Sequence, residues 1–161
     1  MAAKSRKSKD SQGPVAVNKK AYRNFELEDK FEAGLLLLGT EVKSLRAGQA
    51  DLDGSYARIE GSECWLVGAK IAHYQQAGMF VHEPIRKRKL LLHKSEIRKI
   101  KVKLEQRGFT LVPLRIYFSA RGLAKAELAL ARGKRQYDKR RAITERAQKR
   151  DVDRDLKKYR K

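Results

Sequence analysis

YRNFELEDKFEAGLLLL, residues 22–38, is the stretch on which the fold turns. Tyr22, Phe25, Leu27, Phe31 and the run Leu35 to Leu38 supply apolar side chains, and Glu26, Glu28, Asp29 and Glu32 fall between them. Such interleaving predicts a long, half-buried strand, bent near Ala33-Gly34, because glycine inside a strand commonly marks a bulge. The carboxylates then line the solvent face of a sheet. Glu32, beside the bend, has a second reading: a carboxylate at a rim accepts hydrogen bonds from a base edge or a ribose hydroxyl.

Moving outward, a short helix follows, with Thr40 as its cap, Val42 and Leu45 as its apolar face and Gly48 as its stop. Asp51 to Ser55 is turn chemistry, and two aspartates with glycine next to them are better explained by a turn than by a metal. Tyr56, Ile59, Trp65, Val67, Ile71 and Tyr74 spread over two strands around a hairpin at Glu60-Gly61-Ser62. Gln75 to Lys89 reads as an irregular basic loop broken by Pro84. A second helix opens at His93 or Ser95, carries Ile97, Ile100 and Leu104 at helical spacing and stops at Gly108. Thr110 to Phe118 and Ala124 to Ala131 are further strands, the latter alternating Lys125 and Glu127 with Ala126, Leu128 and Leu130. About six strands, two short helices and frequent turns predict a mainly β fold, a closed or partly closed barrel of oligonucleotide-binding type.

The ends of the chain are of another character. Residues 1–17 form a flexible basic arm without periodicity, residues 18–132 the body, and residues 133–161 a basic tail. Between Arg132 and Lys161 there are fourteen Lys/Arg and five Asp/Glu, so nine of the chain's twenty net positive charges sit there. Too few apolar side chains accompany them to build a core, which predicts disorder in isolation. On a helix Arg146, Arg150, Arg154 and Lys158 form one cationic stripe whose mutual repulsion a polyanion would relieve. A solvated tail that only aids solubility is the alternative.

Charge of this size points to a polyanionic partner, and the longest apolar run, Gly34 to Gly39, is far too short to span a membrane. One cysteine, Cys64, and no signal peptide predict a cytoplasmic protein. His73, His82 and His93 lack metal-ligand spacing, and no nucleophile or nucleotide-binding motif is present, so no catalysis, metal or cofactor is expected. A basic ribosomal or ribosome-assembly protein would share these properties.

The order of the short motifs is more specific. Asn18-Lys19-Lys20-Ala21-Tyr22, Phe31-Glu32-Ala33-Gly34, the block Glu41 to Gly48, the block Arg86 to Lys94, and Gly133-Lys134 followed by Tyr137-Asp138-Lys139-Arg140 together resemble the SmpB family of bacterial SsrA-binding proteins. The resemblance runs from about Asn18 to the C-terminus. It implies a non-enzymatic adaptor, a monomer with an oligonucleotide-binding barrel, that holds the tRNA-like domain of transfer-messenger RNA. With elongation factor Tu it would enter the A site of stalled ribosomes in trans-translation, its tail lying in the empty messenger channel. Matched by motif, Glu32, Leu91 and Lys125 are implied in binding the tRNA-like domain, with Asn18, Lys19, Lys43, Arg46, Arg86, Lys89 and His93 as further contacts. Gly133, Lys134, Tyr137, Asp138, Lys139, Arg140 and the stripe Arg146, Arg150, Arg154 are implied in tail function on the ribosome. Tyr137 stands at a position that varies, where an aromatic ring can stack on a base.

Overall fold

The computed structural model describes residues 13–75 and 82–134. Its elements are β1 (Ala16–Val17), α1 (Lys19–Asn24), β2 (Phe25–Leu35), α2 (Gly39–Arg46), β3 (Ala50–Asp51), β4 (Tyr56–Glu60), β5 (Glu63–Val67), β6 (Lys70–Ile71), β7 (Arg88–Leu91), α3 (Lys94–Leu104), β8 (Phe109–Phe118) and β9 (Ala124–Gly133). The protein is mainly β, as expected. Strands β8, β4, β5, β7, β2 and β9 pair antiparallel in that order, and β9 pairs back onto β8, so the sheet closes as a ring of six strands. β1 adds to β8, and β3 and β6 pair separately.

The long first strand is shorter than the sequence predicts and bends elsewhere. Tyr22 belongs to α1, because the Asn18 side chain accepts from the Ala21 amide at 2.9 Å and starts a helix there. Leu36 to Leu38 lie beyond β2, and Leu38 rather than Thr40 is the N-cap of α2. The irregularity falls between Leu27 and Lys30, where β2 advances three residues while β9 advances two. The extra residue turns the strand over. Phe25 and Leu27 therefore pack outward, with α1, against the satellite cluster of Ala21, Val112, Leu114, Ala129 and Ala131. Beyond the bulge Phe31, Ala33 and Leu35 face the interior. A second irregularity, between Pro113 and Arg115, does the same to β8, moving Val112 and Leu114 outside and Ile116 and Phe118 inside.

The interior is filled by Leu66, Leu90, Leu111, Ile116, Leu128 and Leu130 from the ring, with Leu45 from α2 and Ile100 from α3. Each such fully buried side chain contributes roughly 1.5–3 kcal/mol. Helix α3 begins as predicted at His93, whose amide donates to Glu96 at 2.9 Å. The hairpin falls at Gly61, in the left-handed region at φ 63°, between β4 and β5. Asp51 shapes its own turn by accepting from the Asp53 amide at 2.9 Å.

Arg88 is the main departure inside the expected basic loop. It starts a strand and is fully buried. Its Nε donates to Glu41 Oε1 at 2.9 Å, and its other nitrogens to the carbonyls of Ala69 (2.6 Å), Pro84 (2.9 Å) and Arg86 (3.0 Å). Glu41, itself fully buried on α2, also accepts from both Arg86 Nε (2.8 Å) and Nη2 (2.5 Å), and from the Leu38 amide (2.8 Å). One carboxylate thereby ties α2 to the start of β7.

Candidate nucleic-acid interface

The two bulges decide which side chains face outward on β2, β9 and β8. After them, one register row crosses four strands: Leu91 on β7, Gly34 on β2, Lys125 on β9 and Tyr117 on β8. The next row holds Glu32, Glu127 and Arg115. Glu32, Leu91 and Lys125, distant in sequence, thus share one outer face. A Cβ on Gly34 would lie 3.3 Å from Leu91 Cβ, so glycine leaves the exposed Leu91 side chain room beside the strand.

Polar contacts fix this patch. Lys125 Nζ donates to one oxygen of Glu32 and the Tyr117 hydroxyl to the other. Those two hydrogen bonds, Lys125's first, outweigh partial burial and hold the Glu32 carboxyl below the usual carboxylate range, so it is ionised at neutral pH. Arg115 pairs with Glu127 and lies with its guanidinium 5.1 Å from the Tyr117 ring centroid; Lys30 stands 3.5 Å from Glu127 on the other side. The patch thus offers a fixed acceptor, several cations, an aromatic ring and an exposed leucine. These match a nucleotide's base-edge or ribose donors, phosphates and base faces. Lys89 extends it along β7, paired with Glu63. Arg46 stands at the β8–β9 turn, 5.6 Å from the ring of the buried Phe118 and near Gly122.

Other expected contacts lie elsewhere. Asn18 is buried, its amide nitrogen donating to Leu52 O (3.2 Å) and Pro113 O (3.1 Å), so that it clamps the start of α1 onto the body. Lys19 is exposed in the first turn of α1, beside Lys20, which pairs with Asp53. The fork of Arg86 is committed to Glu41. Lys43 is exposed on α2, 5.4 Å from the Tyr74 ring, and His93 caps α3. Gly133 closes the pairing of β9 with Phe25, and the Lys134 amide donates to Asn24 O at 3.0 Å. Tyr137, Asp138, Lys139, Arg140, Arg146, Arg150 and Arg154 lie outside the described residues.

Sequence reasoning missed Arg115 and Tyr117. Their signal was available: they alternate with Leu114, Ile116 and Phe118, as Lys125 and Glu127 do along β9. Cys64 is fully buried, which pushes its thiol up to about 11 and leaves it unreactive. Among the described residues no cluster of potential metal ligands occurs, and no helix is long and apolar enough to cross a membrane.

Comparison with known proteins adds to this geometry. A family model described as SmpB protein matches residues 15–158. An SsrA-binding protein of Symbiobacterium thermophilum is 51% identical over 144 residues, covering 89% of this chain and 91% of its own length. That of Sulfurihydrogenibium sp. is 49% identical over 147 residues, covering 91% and 96%. A solved structure described as "tmRNA-SmpB: a journey to the center of the bacterial ribosome" superposes with a TM-score of 0.66 at 50% identity, over 81% of this chain and 95% of that one.

Proposed function

Because the chain belongs to the SmpB family of SsrA-binding proteins, we propose that it binds the tRNA-like domain of transfer-messenger RNA and delivers it to stalled ribosomes for trans-translation. The observation that carries this is the convergence of Glu32, Lys125 and Leu91 on one outer face, beside Tyr117 and Arg115. In this reading the six-strand ring is an oligonucleotide-binding barrel. Lys125, Arg115 and Lys89 take phosphates, Glu32 accepts from a ribose or base edge, and Leu91 packs on a base. Asn18 acts through Lys19 and Lys20, and Arg46, Lys43, Arg86 and His93 supply further contacts. The protein acts as a monomer in the cytoplasm, without catalysis, and enters the A site with elongation factor Tu. Its tail then occupies the empty messenger channel, with Asp138-Lys139-Arg140 at its start.

Glu32→Ala is the test. By net charge alone the variant should bind RNA more tightly, since a negative charge is lost opposite a polyanion. We expect the reverse, a fall of about tenfold, because the variant loses both the acceptor and the group that positions Lys125 and Tyr117. Gel shift with a tRNA-like-domain fragment measures it, and equal or tighter binding would reduce Glu32 to a solvent-face carboxylate.

A further inference from the structure

Helix α3 carries five cations, and the structure divides them into two sets. Lys99 and Lys103 face β2, where they pair with Asp29 (3.1 Å) and Glu28 (3.9 Å) and lie near the Phe31 and Phe109 rings. Lys94, Arg98 and Lys101 recur at i, i+4 and i+7, which places them on one stripe along another side of the helix. All three are exposed, and among the described residues none has a carboxylate partner. They border, with Ile97, Gly61 and Ser62, an open recess of about 220 Å³ between the helix and the β4–β5 turn. The nearby carboxylates do not neutralise the stripe: Glu60 is held by Arg58 and Lys87, Glu63 by Lys89, and Glu96 accepts from the His93 amide at the helix start.

Three unneutralised cations beside an open recess repel one another at a cost that a phosphate backbone would remove. We propose that this side of α3, with the Gly61-Ser62 turn, is a second phosphate-binding surface, and that its occupant is ribosomal RNA. The proposal rests on the function given above and extends it. Lys99 and Lys103 are already paired with β2. The Lys94, Arg98, Lys101 stripe borders instead the β4–β5 turn, whose strands lie across the ring from β2 and β9, and it is left for a second polyanion.

The experiment compares Lys94→Gln/Arg98→Gln with Lys99→Gln/Lys103→Gln, which remove equal charge from the two sides of one helix. Each full-length protein is titrated by gel shift against the tRNA-like-domain fragment, and by sedimentation against purified ribosomes over a salt series without that RNA. For the first pair we expect fragment affinity within about twofold of wild type, and ribosome affinity at least about tenfold weaker with a salt slope smaller by about 2. The second pair should keep most of its ribosome affinity. Unchanged ribosome affinity, an equal loss in both pairs, or a parallel loss of fragment binding in the first pair would overturn the proposal. Wild-type protein that sediments with ribosomes but ignores the fragment would instead sink the proposed RNA partner and leave the α3 surface standing.

Discussion

Glu41→Ala should destabilise the folded protein by about 3–5 kcal/mol, a large share of the roughly 5–15 kcal/mol that holds a domain of this size together. The variant leaves the Arg88 guanidinium buried without its counter-charge and frees Arg86 and the Leu38 amide at the start of α2. Apolar replacement of the whole pair is often harmless elsewhere, but not here. Arg88 also satisfies the carbonyls of Ala69, Pro84 and Arg86, and each stranded buried carbonyl costs about 1–3 kcal/mol. Glu41→Leu/Arg88→Met should therefore be no more stable than Glu41→Ala. Urea unfolding at neutral pH reads both, as a lower midpoint at unchanged slope. A midpoint shift worth under about 1 kcal/mol in Glu41→Ala would mean the network contributes little.

The same carboxylate predicts an acid limb. Burial alone would raise the Glu41 pKa, but the hydrogen bonds from Arg86 and Leu38 and the charges of Arg88 and Arg86 outweigh it and hold it below its ordinary value of 4.5. A depressed folded-state pKa means the unfolded chain takes up the proton first. Glu41 thus contributes its full stabilisation above about pH 4.5, and that contribution is lost as the pH falls through the lowered value. The stability gap between wild type and Glu41→Gln should be constant from pH 6 to 8 and narrow on acidification. A gap independent of pH would show that Glu41 is not ionised in the fold.

What the sequence revealed follows the range of the interactions involved. Local signals were sufficient for α3, for the hairpin at Gly61, and for the alternation of Lys125 and Glu127 along β9. Helix α1 was hidden because six residues make fewer than two turns, and its Tyr22 continues the apolar spacing of β2. The bulges in β2 and β8 have no glycine to mark them, since the register is set by β9 and by the α1 cluster. Arg88 read as one more loop cation because its partner lies 47 residues away, and Tyr117 meets Glu32 across 85. Motif order picked Glu32, Leu91 and Lys125 where periodicity supplied only a strand face.

Deleting Gln136 to Lys161 should abolish tagging of stalled chains while leaving binding of the tRNA-like domain within about twofold of wild type. The pairing of β9 with β2 lies wholly before the deletion: Gly133 is its last partner, and the Lys134 amide is bonded to Asn24 O. The loss on the ribosome then belongs to the tail alone, and simultaneous loss of RNA binding would refute the division. Within the tail, conformation and charge separate. Arg146, Arg150, Arg154 and Lys158 form a stripe only on a helix, and their repulsion disfavours that helix until a polyanion neutralises them. Ala147→Pro costs roughly 3 kcal/mol or more inside a helix and leaves the net charge untouched. It should therefore depress tagging strongly with RNA binding intact, and Ala142→Leu, which preserves helix propensity, should not. Wild-type tagging by the proline variant would mean that the tail works as an extended polycation, because every charge is retained and only the stripe's geometry is lost.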